Sequence, residues 1–263
     1  MDNATSKSEA QTWINKLNHF LDLAYASKEP QRNSEEADVN AFITENFPGS
    51  TQSALRLLPT HILPYGPLYE LLEGFRTDLE FSIDPPKFPI TTGHDLETYA
   101  FRVAGTVAEL CLGLVFHHSK TRSTARERDN LIMMGGRMGI ALQYVNIARD
   151  IARDAAIGRV YIPTTWLKES GLTPQDVLAR PTSLKIDALR ERLLKKAFGE
   201  YQNAYSALAR LPVDARAPMR VAIESYMEIG RVLREAGYVV KEGKATVPKL
   251  RRIKVAWKAL SEG

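Results

Sequence analysis

Cysteine is almost absent from this chain: 263 residues contain one thiol, Cys111. That count excludes a disulfide scaffold and a cysteine-cluster zinc site, and it suits a reducing compartment. Long apolar runs are missing too. No stretch approaches the ~18–20 residues that span a bilayer, and the opening MDNATSKSEAQ is too polar for a secretory signal. Only 8% of residues are aromatic, and no RGG run, zinc finger or RNA-recognition signature accompanies them. Nucleic acid is therefore not expected as a partner. Alternating strand patterns, internal repeats and low-complexity linkers are lacking as well. An intracellular chain remains, soluble or peripherally attached to a membrane, forming a single all-α domain over residues 1–263.

What is present is ordinary globular material, with 44% apolar and 25% charged residues. A net charge of +4 and a pI near 9.1 would attract phosphate, whether on nucleic acid, lipid head groups or a small substrate.

Apolar residues recur at helical spacing along most of the chain. Trp13, Leu17, Phe20, Leu21 and Ala24 mark one face of a first helix. SEEADVNAFITENF and LYELLEGFRTDLEF continue the pattern, and Asp84-Pro85-Pro86 with Pro89 reads as a loop. Leu96, Tyr99, Val103, Leu110 and Leu114 predict a helix over about residues 95–117. Leu131, Met134, Met138, Leu142 and Val145 predict a second over about 128–155. Gly135, Gly136 and Gly139 weaken that second helix by roughly 1 kcal/mol each, so a neighbouring helix or a ligand is expected to approach there. Further helices are predicted over about 186–211 and 217–239, followed by a basic terminal helix.

The chemistry concentrates in GIALQYVNIARDIARDAAIGRVYIP. Gln143, Asn146, Asp150 and Asp154 are spaced three, four and four, and so form one polar stripe. Two carboxylates one turn apart can share a hard cation, and Asn146 adds a neutral oxygen. Magnesium typically takes one or two carboxylates and fills its shell with water and substrate phosphate. Arg149 and Arg153 lie beside the stripe, able to meet remaining phosphate charge. The competing reading is a solvated face with an Asp150–Arg153 pair worth a few tenths of a kcal/mol. The weakened helix and its apolar surroundings favour an inward-facing site.

These residues resemble a known family. QYVNIARDIARDAAIGRVYIP is similar to the second aspartate-rich motif of squalene/phytoene synthases, roughly N-x-x-R-D-x-x-x-D followed by G-R-x-Y-x-P. TYAFRVAGTVAEL and EGFRTDL resemble further elements of that family. SYMEIGRVLREAGY and KATVPKLRRIKVAWKAL resemble the C-terminal helices of its fungal phytoene synthase branch. The resemblance implies the all-α isoprenoid synthase fold and a magnesium-dependent head-to-head prenyl transferase, with manganese as a substitute metal. It implies that two geranylgeranyl diphosphates join through prephytoene diphosphate to give phytoene, in carotenoid biosynthesis. Within the same fold, a squalene or dehydrosqualene synthase using farnesyl diphosphate is the alternative. A non-catalytic binding homologue is the alternative from another class.

Carried over residue by residue, the resemblance assigns Asp150 and Asp154 to metal. Asn146, Arg149 and Lys244 go to diphosphate, and Tyr99 and Tyr226 to the reacting centre. The family's first D-x-x-x-D motif has no counterpart here, and Asp2 resembles the last aspartate of that motif. The expectation is an N-terminally incomplete domain that forms little phytoene. Ala100 and Arg102 replace a cysteine and a tyrosine of the family pattern, and Gly243 replaces an arginine.

Other features read as structural. His117 and His118 are surface histidines, and Cys111 is a small core residue. Met133, Met134 and Met138 fill the core or line an apolar tunnel. Arg76 and Asp78 form a structural ion pair or touch substrate. On the terminal helix, Leu250, Ile253, Trp257 and Leu260 share a face apart from Lys249, Arg251, Arg252, Lys254 and Lys258. Two readings stay open for that face: it rests on a membrane, or it packs Trp257 into the core.

Overall fold

The computed structural model of the chain describes residues 3–26, 33–120, 123–235, 237–238 and 246–261. Asp2 and the interval 239–245, with Gly243 and Lys244, lie outside the described residues. Two compact units account for the contacts, Met1–Leu79 and Glu80–Gly263.

In the first unit, helices α1 (Asn3–Ala26), α2 (Asn33–Asn46), α3 (Gly49–Arg56) and α4 (Tyr65–Glu80) enclose a core of Ile14, Phe20, Leu21, Ile43, Phe47 and Leu72. Trp13, placed on the buried face by its spacing, is exposed, and its neighbour Ile14 is buried in its place. Two half-buried tyrosines find partners for their hydroxyls within the unit. The Tyr25 hydroxyl donates to the Leu63 carbonyl (2.7 Å), and the Tyr65 hydroxyl donates to Asp22 Oδ1 (2.8 Å). Burial, then the hydrogen bond and charge of Asp22, push the Tyr65 phenol up to about 12. Arg76 Nε lies 2.8 Å from Glu73, an ion pair within α4.

The second unit is also helical. A two-residue hairpin, β1 (Ser82–Ile83) with β2 (Pro86–Lys87), occupies the predicted loop at Asp84-Pro85. One helical rod follows: α5 (Gly93–Ala100), a π-helical turn (Phe101–Gly105) and α6 (Thr106–His118). By length and composition alone, this rod qualifies the expectation that no apolar stretch is long enough to span a bilayer. Gly93–His118 is long and apolar enough to do so, with a mean hydropathy of 1.5 over its best window. The rod contributes Leu96, Tyr99, Ala100, Leu112 and Phe116 to the core of the unit.

Against the rod packs α7 (Ala125–Ala156), the longest described helix. Its glycines explain the fit. A Cβ at Gly139 would lie 2.5 Å from the Ala104 carbonyl oxygen and 2.8 Å from Gly105 Cα, backbone that cannot yield as a flexible side chain does. At Gly136 it would meet Glu109 Oε1 at 2.9 Å. A helix, rather than a ligand, makes the close approach. The lost helix propensity is offset by van der Waals contact between backbones.

Short α8 (Thr164–Glu169) and α9 (Pro174–Ala179) lead to α10 (Leu184–Tyr205), which covers another side of α7 and passes into a 3-10 turn (Ser206–Arg210). The predicted 186–211 helix thus ends early as α-helix. Next, α11 (Val213–Leu233) starts four residues before the predicted Ala217 and runs through Pro218. The chain closes with α12 (Lys249–Ser261), which packs on α11. Cys111, expected in the core, is exposed on α6, and the residue turned toward α7 is its neighbour Leu112, which meets Gly135. His117 and His118 are exposed, as their adjacent placement predicted.

Candidate active site

The last four turns of α7 carry Gln143, Asn146, Arg149, Asp150 and Asp154, all partly buried. Ile147, Ala148 and Ile151 on the same turns are buried in the core and fix the rotation of the helix. From α10, Arg190 Nε donates to the Ala148 carbonyl at 3.0 Å, pinning the backbone between Asn146 and Asp150.

The stripe forms a connected network. Asn146 Nδ2 donates to Gln143 Oε1 at 3.2 Å. Tyr226, delivered by α11, donates its hydroxyl to Asn146 Oδ1 and also lies against Arg149. Arg149 grips the neighbouring Asp150 with two bonds, Nε to Oδ1 (2.9 Å) and Nη2 to Oδ2 (2.5 Å). Hydrogen bonding to Asp150 holds the Arg149 guanidinium above its ordinary pKa against the opposing effect of burial, and the charge of Asp150 adds to this. Their side chains are 25% and 23% exposed. Coulomb attraction is therefore less screened than in a surface pair. Asp150 thus pairs with Arg149 and not with Arg153, which is exposed. The solvated-face reading does not describe this half of the helix.

Tyr99 lies elsewhere in the unit. It is buried and stacks on Tyr161, with ring centroids 5.0 Å apart and planes at 24°. Phe81 meets the Tyr161 ring edge-on, and Arg159 Nη1 donates to the Tyr161 hydroxyl at 3.1 Å. Arg159 and Tyr161 also line a small cleft with Asp154, Ile147 and Ile151. The structure therefore brings Asn146, Arg149, Asp150 and Tyr226 into one cluster. Asp154 falls beside the aromatic group that holds Tyr99. Sequence reasoning passed over Arg159 and Tyr161 as individual residues, although both stand in the GRVYIP segment that it singled out. Lys244 lies outside the described residues.

Among the described residues no group of three histidine, cysteine or acidic side chains is gathered. The donor set is two carboxylates one helical turn apart and one amide oxygen. Such a set is too sparse to cage a cation by itself, yet it fits magnesium, which keeps waters and takes phosphate oxygens as ligands. A carboxylate that accepts a bidentate arginine still has lone pairs for a metal.

An apolar cavity of about 190 Å³ lies farther back along the same helices, lined in part by Leu112, Leu131, Met134, Met138, Leu142 and Ile223. Met134 and Met138 thus face a cavity, whereas Met133 is exposed. One turn beyond Leu142 stands Asn146, and three residues beyond Ile223 stands Tyr226. Apolar lining and polar cluster follow each other along α7 and α11.

A family model described as squalene/phytoene synthase matches residues 1–252. Among curated proteins, the bifunctional lycopene cyclase/phytoene synthase of Phaeosphaeria nodorum is 49% identical over 100% of this chain and 43% of its own length. The protein of the same description from Neurospora crassa is 47% identical over 100% of this chain and 46% of its own. The chain spans less than half the length of these relatives. Among solved structures, a dehydrosqualene synthase crystallised with ligand superposes with a TM-score of 0.67 at 21% identity, covering 97% of this chain and 87% of that one. At that identity the likeness shows the fold alone.

Proposed function

Because the chain belongs to the squalene/phytoene synthase family and carries its helical isoprenoid synthase fold, we propose that it is the synthase portion of a head-to-head prenyl transferase. In this reading residues 1–263 act as one synthase domain in carotenoid biosynthesis. It condenses two geranylgeranyl diphosphates to phytoene. One observation carries the proposal: the polar cluster of Asn146, Arg149, Asp150 and Tyr226 stands about one helical turn beyond Leu142 on α7 and Ile223 on α11, which line the apolar cavity. A diphosphate needs the first and a prenyl chain needs the second. The cavity is smaller than the ~300–1,000 Å³ of typical ligand pockets. It takes a segment of a prenyl chain unless side chains such as Met134 and Met138 swing aside.

In this reading Asp150 and Asp154 hold magnesium, and the metal supplies Lewis-acid help to diphosphate departure. The residues of the chain do the rest. Arg149 meets phosphate charge that the metal leaves uncompensated, with its guanidinium held in place by Asp150. Asn146 is oriented by Gln143 on one side and Tyr226 on the other. The Tyr226 hydroxyl is the polar group of α11 placed where diphosphate and apolar chain meet. Leu142, Met138 and Ile223 exclude water from the carbocation. Tyr99, stacked on Tyr161, offers an electron-rich face to positive charge from the Asp154 side. Lys244 is proposed as a further contact to diphosphate.

The test is incubation with magnesium and either geranylgeranyl or farnesyl diphosphate, followed by extraction of hydrocarbon product. A C40 product from the first substrate is expected, in low yield because the sequence carries one D-x-x-x-D motif, Asp150–Asp154, where the family pattern has two. A C30 product from the second, with none from the first, would move the assignment to squalene or dehydrosqualene synthesis. Absence of magnesium-dependent binding of either diphosphate would favour a non-catalytic homologue.

A further inference from the structure

The terminal helix turns the wrong face outward. On α12, Leu250, Ile253, Trp257 and Leu260 follow steps of three, four and three, and form one apolar stripe. They are 82%, 57%, 75% and 53% exposed. The opposite stripe is the docked one. Ala259 is buried, and Arg251 donates Nε to Glu228 Oε1 at 2.5 Å while Nη1 pairs with Glu235. Glu228 is itself buried and is shared with Arg231, 2.9 Å away. These ties fix the rotation of α12 on α11, so the exposed tryptophan is no accident of a loose helix. Packing of Trp257 into the core, one of the two readings of this segment, is not what the structure has.

Charge says what covers the stripe. Helix α12 carries five cations and no acidic residue. Arg251 is neutralised by its glutamates. Lys249, Arg252, Lys254 and Lys258 are exposed; the first two flank the stripe on one side and the last two on the other, where they also line a cleft with Glu224 and Glu228. A second copy seated stripe to stripe would bring two such rows of cations together, which repels. An anionic bilayer surface matches both features, with apolar side chains entering the acyl boundary and lysine and arginine reaching the phosphates. Cations in the first turn also sit at the unfavourable end of the helix dipole, a cost that nearby lipid phosphate would relieve.

We infer that α12 is a docking helix for an anionic membrane surface, laid flat with Leu250, Ile253, Trp257 and Leu260 inserted and Lys249, Arg252, Lys254 and Lys258 at head-group level. This inference stands on α12 alone and does not depend on the proposed reaction.

The experiment is co-sedimentation with vesicles of phosphatidylcholine, with and without phosphatidylserine, at low and high salt. Binding is expected only with phosphatidylserine, and it should weaken as salt rises. Each neutralised cation among Lys249, Arg252, Lys254 and Lys258 should cost about fivefold in affinity. The pair Leu250→Ser/Trp257→Ser should cost at least about tenfold. Arg251 is left intact in every variant so that α12 stays docked. Brominated lipid gives a second readout independent of variant folding: it should quench the wild-type protein and fail to quench Trp257→Phe, which still binds. Failure of the wild type to bind overturns the inference, as does equal binding by wild type and both sets of variants. A dimer in sedimentation that Leu250→Ser/Trp257→Ser dissociates, with no vesicle binding, would instead place a second copy on the stripe.

Discussion

Helices α7 and α12 depart from the usual rule of burial in opposite directions. In its last three turns α7 holds Asn146, Arg149 and Asp150 partly inside the unit, where polar groups are costly unless paired. Conversely, α12 holds Leu250 and Trp257 outside, where apolar groups gain nothing from the fold. Each departure is supported by a firm structural tie: Arg190 on the Ala148 carbonyl for α7, Arg251 on Glu228 for α12. Such inversions mark the places where a sequence serves something besides stability. On the readings proposed above, for α7 that is a charged ligand brought in and for α12 a surface the protein is brought to.

The comparison breaks most sharply at the carboxylates. If the inversion on α7 exists for metal and diphosphate, Asp150→Ala with Asp154→Ala should nearly abolish magnesium-dependent binding of pyrophosphate. Turnover, wherever it is measured, should fall by ~10²–10³ or more, the usual cost of one lost electrostatic contact at a reacting centre. Calorimetric titration of magnesium with and without pyrophosphate reads the binding arm. Equal magnesium binding in both titrations, or binding unchanged in the double variant, would mean that the stripe serves the fold after all.

A second test separates packing from chemistry. Gly139→Ala places a methyl group against the Ala104 carbonyl with no flexible atom to give way. Overpacking of this kind typically costs 1–3 kcal/mol, so denaturant midpoints should fall with little change in the slope. The polar cluster lies two turns away, and diphosphate binding by the folded protein should change less than stability does. Gly113, whose Cβ would meet nothing within 4 Å, is the control, and Gly113→Ala should be tolerated or mildly stabilising.

Much of this was legible in the residues. The three-four-four spacing of Gln143, Asn146, Asp150 and Asp154 placed them on one face before any coordinates, because helical geometry alone decides that. The weakened run at Gly135, Gly136 and Gly139 announced a close neighbour, and the spacing of Leu250 to Leu260 announced an apolar stripe. Rotation was harder to read. Whether Trp13 or Ile14 faces the core, whether Cys111 or Leu112 does, and which way the α12 stripe points depend on the partner helix and not on the helix itself. Pairing was also hidden: Arg153 stood at the helical spacing for Asp150, but Arg149 takes both carboxylate oxygens. The helix starts carried a signal that went unused. Thr92-x-x-Asp95, Thr124-x-x-Glu127 and Thr173-x-x-Asp176 each form a capping box, and the T-x-x-D/E spacing was in plain view.

Tyr226 sharpens the comparison further, since it joins α11 to the α7 stripe by one hydrogen bond. Tyr226→Phe keeps the ring and removes the donor to Asn146 Oδ1. Loss of one such bond is worth about 1 kcal/mol, so pyrophosphate affinity in the presence of magnesium should drop about fivefold, with the fold retained. A drop as large as that of the carboxylate pair would mean the hydroxyl touches ligand directly rather than orienting Asn146.

The smallest effect sits at the other end of α7. Thr124 accepts from the Glu127 backbone at 3.3 Å, while Glu127 Oε2 accepts from the Thr124 amide at 2.9 Å and from its hydroxyl at 2.7 Å. No acidic residue occupies the first turn of α12, which opens on Lys249. Thr124→Ala should cost about 1 kcal/mol, which for a chain of this size lowers the melting midpoint by ~2–4 °C. The hydrogen bonds from the Thr124 side chain and then its backbone hold the Glu127 carboxyl below its ordinary value of 4.5. A carboxylate with a lowered folded pKa lends its stability in full above that ordinary value and loses it as pH falls through the folded one. Melting curves of wild type and Glu127→Gln should therefore be offset at neutral pH and converge as pH falls through the lowered folded value, below the ordinary 4.5. An offset that persists in acid would mean that Glu127 acts through its shape and not its charge. The start of α7 would then differ from that of α12, whose first turn holds no acidic residue, in packing alone.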